Sequence, residues 1–267
     1  MYLAFDSDLM IHNYQFEIGK TYLIEDTPVL WVKGFHFCRD VLTCFKYYNI
    51  NSRICEVIAE DIVDSKGQVI SRKITIIREL SKQEIMDRIT GSEWAYLWAL
   101  HIGNREVMID RVTDPEWAYY WAKYLGNRDV MIDRITNSRY AYYWAKYIGN
   151  KEVMIDRVTD SEWAYHWALL IGNKDVMVDR VTDSKWAYWW AQDIGNKEVM
   201  IDRVTDSEYA YYWAKYIGNR EVMIDRVTES RWAYYWARDI GNHDVMLPRI
   251  TDELQRRQIE GRIKQDS

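Results

Sequence analysis

The chain has 267 residues, near the upper limit for one hydrophobic core, so length alone leaves one or two folding units open. Its formal charge of −6, pI near 5.5 and interspersed charges of both signs exclude the basic stripe that a phosphate backbone requires, so no nucleic-acid partner is expected. It contains no apolar run of about 18 residues and no charged-then-apolar leader, so neither a membrane span nor a secretory signal is expected, and a cytoplasmic location follows.

Aromatic residues make up 15% of the chain, with 14 Trp and 21 Tyr against 5 Phe. Most ring surface therefore carries a polar N–H or O–H, which suits half-buried positions and interfaces. The cysteines, Cys38, Cys44 and Cys55, are odd in number and read as reduced thiols.

Residues 1–80 read as a small α+β head domain that also covers the end of the helical region. Strands are predicted at Met1–Phe5, Lys20–Ile24, Pro28–Val32, Ser52–Glu60 and Ser71–Leu80, with a hairpin turn at Asp64–Gly67. Asp40–Tyr48 has a helical apolar pattern behind an Asp cap. His36 and the three cysteines show no C-x-x-C or H-x-x-x-H spacing. No metal site is expected, and these four side chains read as core.

From residue 81 to 252 the chain is a repeat. The motif [W/Y]-A-Y-x-W-A-x-x-[I/L]-G-N begins at Trp94, Trp117, Tyr140, Trp163, Trp186, Tyr209 and Trp232, at a constant spacing of 23. Each copy is followed by a segment of the type EVMIDRVT, first traced at Glu84–Thr90. In the second copy Asp114 is an N-cap, Pro115 suits the first helical position, Gly126 stops helix A and Asn127 is expected to cap helix B, which runs to about Ile135. A single hairpin buries too little to offset its ordering entropy, so neighbouring hairpins must stack. The fold expected is mostly α: a right-handed α-solenoid of 23-residue helical hairpins behind the α+β head. Pro248 is expected to end the last helix B early, and residues 253–267 read as a polar tail.

Counting from the first ring, motif positions two, five, six and nine share one helix face. They predict the core: Ala95, Trp98, Ala99 and Ile102, then Ala118, Trp121, Ala122 and Leu125. The rings at positions one and three are expected to flank that core and pack between hairpins. Positions four, seven and eight form a second stripe that varies from copy to copy yet stays rich in rings. The candidate partner-binding residues on it are Tyr120, Lys123, Tyr124, Tyr143, Lys146, Tyr147, His166, Trp189, Tyr212, Lys215, Tyr216 and Tyr235. A freely drifting solvated face is the plain alternative, although it would carry more Glu, Lys and Gln. The recurrent Asp-Arg pair of helix B is expected to bridge hairpins from each Asp to the next Arg, as Asp87 to Arg111 and Asp225 to Arg249.

The repeat resembles the short helical-hairpin repeats of bacterial and phage proteins, similar in style to leucine-rich-variant repeats. That resemblance implies a right-handed stack used for binding, without catalytic residues. The string GFHFC, Gly34–Cys38, resembles the head domain that precedes such repeats, and is similar to a strand-then-helix segment of ADP-ribosyltransferase-like folds. The second likeness would make Glu56 or Glu60 a catalytic acid, but the other nicotinamide-site residues have no counterpart.

A non-enzymatic protein that docks a protein partner is therefore expected, of the kind a phage or mobile element uses to inhibit a host protein, with no cofactor. One alternative is an enzymatic head with the repeats as recruiting arm, which needs a deep pocket gathering His36 with a carboxylate. The other is small-molecule capture, such as a nucleotide, in an aromatic groove.

Overall fold

The computed structural model describes residues 1–11, 14–25, 34–65 and 68–266. It divides into two compact units, Met1–Ile135 and Thr136–Ser267. The first holds the head and two hairpins, and the second holds five hairpins and a terminal helix.

In the head, alternation of buried Cys55, Val57 and Ala59 with exposed Ile58 and Glu60 marks one face of a long strand. That strand, β6 (Arg53–Ser65), pairs antiparallel with β7 (Gln68–Glu79) as far as Ser65 opposite Gln68. Around this hairpin lie β1 (Tyr2–Phe5) against β6, and β4 (Thr21–Leu23) and β5 (Phe35–Phe37) against β7. A two-stranded ribbon of β2 (Met10–Ile11) and β3 (Tyr14–Gln15) is added, which the sequence reading did not anticipate. Leu3, Phe5, Phe16, Phe37, Ile74 and Ile76 fill the core. The strand expected at Pro28–Val32 and part of the turn at Asp64–Gly67 lie outside the described residues.

The head helix is shorter than its pattern suggests. Helix α1 covers only Val41–Cys44, with Asp40 accepting from the Thr43 N–H. The next amides bond back three residues, Phe45 to Leu42 and Lys46 to Thr43, which tightens the chain into turns. This carries Phe45 onto Trp94 of the first hairpin, ring centroids 6.0 Å apart.

Helix α2 (Lys82–Asp87) opens with a capping box between Ser81 and Glu84. The hairpins then pair a ten-residue helix with a four-residue one: α3 (Ser92–His101) and α4 (Arg105–Met108), then α5 (Pro115–Tyr124) and α6 (Arg128–Met131) in the first unit. In the second unit they are α7 (Ser138–Tyr147) and α8 (Lys151–Met154), α9 (Ser161–Leu170) and α10 (Lys174–Met177), α11 (Ser184–Asp193) and α12 (Lys197–Met200), α13 (Ser207–Tyr216) and α14 (Arg220–Met223), and α15 (Ser230–Asp239) and α16 (His243–Met246). Among the described residues, no helix is long and apolar enough to cross a membrane.

Three local expectations need correction. Asn127 does not cap α6 with its side chain: it sits at φ +52° directly after Gly126 at φ +94°, so the Gly-Asn pair makes the left-handed corner between the helices. Helix B is a single α turn followed by a 3₁₀ turn, Ile132–Arg134 in this copy, rather than one continuous helix. Pro248 therefore shortens nothing, because it falls in the first turn of the 3₁₀ segment Leu247–Arg249, where its fixed φ is compatible.

These helix ends are met by the arginine of the following hairpin, whether or not a 3₁₀ turn is present. Arg111 Nη1 donates to the carbonyls of Met86 and Ile89 at 2.6 and 2.8 Å. Arg180 does the same to Ile155 and Val158, and Arg249 to Ile224 and Val227. Each guanidinium thus ties two carbonyls at a helix end to the next hairpin, although the first of them, as at Met86 and Ile155, also accepts the amide three residues on. The expected Asp-to-next-Arg direction holds, as in Asp156 with Arg180 at 3.6 Å and Asp225 with Arg249 at 3.7 Å. These aspartates are more than 80% exposed, so the carbonyls, not the carboxylates, are the main partners. The Asp87–Arg111 pair is not formed among the described residues, and Asp87 accepts from Gln83 instead.

A serine at the first turn of helix A adds a second staple. Ser161 Oγ accepts from the Thr182 and Asp183 amides at 2.9 and 3.1 Å, and Ser184 Oγ from Thr205 and Asp206 at 2.9 and 3.3 Å. Residues 253–266, read as a polar tail, form helix α17 (Glu253–Asp266), which packs on α15 and buries Ile259.

Candidate functional site

The core tryptophans, from Trp98 to Trp236, are all at most 2% exposed, and the paired alanines beside them are equally buried. The position-three tyrosines from Tyr96 to Tyr211 are buried as well, including Tyr142 and Tyr211 at 3% each, whereas Tyr234 in the last hairpin is half-buried. Position-one rings of one hairpin rest on rings of the hairpin before it. In the second unit Trp163 lies 5.3 Å from Tyr142 and 5.4 Å from Tyr143, and Trp232 lies 5.6 Å from Tyr211 and 5.5 Å from Tyr212. In the first unit Trp117 lies 5.5 Å from Tyr96.

This ladder draws in position four, which the sequence reading had placed wholly on the outer stripe. Tyr120, Tyr143, His166, Tyr212 and Tyr235 are half-buried, each against rings of its own or an adjacent hairpin. Burial among Tyr142, Trp163, Tyr165 and Trp186 lowers the His166 pKa, so its imidazole is uncharged at neutral pH. Trp189, at 37%, is the most open ring at this position.

Positions seven and eight carry the accessible chemistry. Tyr124, Tyr147 and Tyr216 are 57, 55 and 62% exposed, and each stacks on the position-four ring of its own helix at 6.2–6.4 Å. A lysine braces each pair. Lys146 lies 5.4 Å from the Tyr142 ring and 5.2 Å from Tyr147, and its ammonium donates to the Tyr142 hydroxyl at 3.1 Å. Lys123 and Lys215 repeat the arrangement. Each lysine thus bridges a position-three ring and the exposed position-eight ring of its own helix.

Where position eight is acidic, the stripe closes on itself. The Tyr165 hydroxyl donates to Asp193 at 2.5 Å. Asp239 accepts from Arg238 at 2.5 Å, from Lys215 at 2.6 Å and from the Tyr211 hydroxyl. These donors, Arg238 foremost, hold its carboxyl well below the usual carboxylate range. The hairpin of α9 presents instead the exposed pair Leu169 and Leu170. Helix B adds a regular feature that the sequence reading passed over: Val153, Val176, Val199, Val222 and Val245 stand 38–44% exposed, one per hairpin. Their strict recurrence was the available signal.

The head contains a cavity of about 660 Å³. His36 of β5, Asp40, Thr43 and Cys44 of α1, Cys38 and several rings line it. His36 and Asp40 thus meet the condition set for an enzymatic head, but the Asp40 carboxylate is engaged as the helix cap. Glu56 and Glu60, the acids suggested by the transferase likeness, are not on its wall and pair with Arg78 at 3.1 Å and Lys73 at 2.9 Å. All three cysteines are buried, as expected for core residues. His36, expected in the core, is only half-buried because it borders the cavity. Burial raises the Cys55 thiol to about 11, while Cys44, hydrogen-bonded to Cys38, is raised further. Among the described residues no group of three or more His, Cys, Asp or Glu is placed to hold a metal ion.

Residues 1–88 match a family described as a domain of unknown function (DUF7666), which spans the head and α2 and stops before the first full hairpin. No curated protein and no solved structure matches the chain.

Proposed function

We propose that this is a non-enzymatic, cytoplasmic binding protein that docks a protein partner through the outer rings of its helical repeats. The observation that carries the reading is the pair Tyr147 and Tyr216, more than half exposed yet held in place by a stacked ring and a bracing lysine. Rings fixed in this way lose little side-chain freedom on binding, which is what makes tyrosine an effective interface anchor. Along the second unit the accessible side chains change from Tyr147 to Leu170, Trp189 and Tyr216. Such a series suits an irregular protein surface better than a repeating polymer. The resemblance of the repeats to those of bacterial and phage proteins supports a host protein as that partner.

The test is affinity capture followed by a binding measurement with the captured protein. Changing Tyr147 and Tyr216 to Ala is expected to weaken a one-to-one partner by about tenfold or more. Undiminished affinity in a folded variant would remove the stripe from consideration. A small-molecule role for the head is favoured by a separate observation, its cavity.

A further inference from the structure

Two of the three cysteines stand together on the wall of the head cavity. Cys38 follows β5, where its N–H donates to the Tyr2 carbonyl and its own carbonyl accepts the Tyr2 N–H, both at 2.8 Å. Cys44 is the last residue of α1, and its Sγ lies 3.7 Å from that same Tyr2 carbonyl. Strand β1 therefore gathers both side chains, and the Cys44 thiol is hydrogen-bonded to the Cys38 sulfur. Sulfurs in such contact need only small side-chain rotations to bond to each other.

Their surroundings give the two sulfurs different roles. Cys44 is fully buried, and the carbonyls of Tyr2 and Asp40, at 3.7 and 3.9 Å, are acceptors that keep the proton on its sulfur. Cys38 receives the hydrogen bond from Cys44, which favours its thiolate and holds its pKa below the ordinary thiol value. It is 8% exposed and borders a cavity of about 660 Å³, which gives a small oxidant room to reach it. Cys55 differs on both counts: it lies opposite Leu3 in the β1–β6 ladder, inside the sheet core, where burial raises its thiol to about 11.

We propose that Cys38 and Cys44 form a peroxide-oxidised dithiol, in which Cys38 is the attacking sulfur and Cys44 the resolving one. The Cys38 thiolate attacks one oxygen of a hydroperoxide, the O–O bond breaks, and the other oxygen leaves as alcohol or water after taking a proton. Cys44 then attacks the sulfur of the Cys38 sulfenic acid. The S–S bond forms, and the sulfenic oxygen leaves as water with the Cys44 proton. Two thiols are oxidised to one disulfide while one hydroperoxide is reduced. The outer tyrosines of the repeats take no part, so the site stands apart from partner docking.

The experiment treats the folded full chain with hydrogen peroxide, alkylates the remaining thiols in denaturant and digests with trypsin without reductant. Cleavage after Lys33, Arg39 and Lys46 leaves the two cysteines on separate peptides, 34–39 and 40–46. These peptides are expected to appear disulfide-linked within one chain, with Cys55 alkylated, and dithiothreitol should restore all three thiols. In Cys44→Ser the Cys38 sulfenic acid should accumulate and be trapped by dimedone. Thiol loss in Cys38→Ser should be about tenfold or more slower than in Cys55→Ser. The proposal is overturned if the unmutated chain gives no linked pair, if the link joins Cys55 or two chains, or if Cys38→Ser is oxidised as fast as Cys55→Ser.

Discussion

Asp239 shows how a residue that looks like part of a variable surface can belong to the scaffold. From the sequence it was one more departure from tyrosine at position eight, with no partner apparent. Its partners are its neighbour Arg238 and, from the preceding hairpin, Lys215 and Tyr211, so only the stacked geometry reveals them. Replacing Asp239 by Asn should cost about 1 kcal/mol at neutral pH, the scale of a charge-assisted contact near the surface. Because the folded carboxyl titrates below its unfolded value, this contribution is complete above the usual carboxylate range and is lost as pH falls through it. Urea unfolding of both proteins should show a constant gap from pH 7 to about 5 that narrows below about pH 4. A gap that is already closed at pH 5 would contradict this assignment.

At the scale of the element, the 23-residue period and the left-handed Gly126 were legible because they depend on local backbone preferences, whereas Asn127 was read as a helix cap and instead shares the left-handed corner. The division of helix B into an α turn and a 3₁₀ turn was not, nor was the arginine one repeat away that meets its carbonyls. The sequence shows Asp and Arg side by side and invites an ion pair. The structure gives the guanidinium to two carbonyls and leaves the aspartate largely in water. Arg180→Ala should therefore cost about 1–3 kcal/mol by leaving the Val158 carbonyl unmet and the Ile155 carbonyl with the Val158 amide alone, while Asp156→Ala should cost less than about 0.5 kcal/mol. Chemical denaturation of the two variants checks the order. Equal losses would restore the ion pair as the main link.

Across the whole molecule, periodicity identified the core face correctly, because every copy repeats Ala, Trp and Ala at the same helical angles. Ile102 is less buried than that pattern implied, as it closes helix A beside the open Gly-Asn corner. Helix period also could not tell a ring that points outward from one that the next hairpin covers, which is why position four was assigned to the surface. The head cavity was invisible for a related reason: its wall runs from Tyr2 to Val69 and is assembled by the sheet, not by any contiguous motif.

The rings fall into a ladder that holds hairpins together and an outer set that stability does not require. Thermal unfolding of two double variants tests this division most directly. Tyr147→Ala with Tyr216→Ala should lower the melting temperature by no more than about 2 °C, whereas Tyr142→Ala with Tyr211→Ala should lower it by more than about 10 °C, as expected for emptied core positions. Comparable losses in the two proteins would contradict the division, and with it the reason for regarding the outer tyrosines as available to a partner.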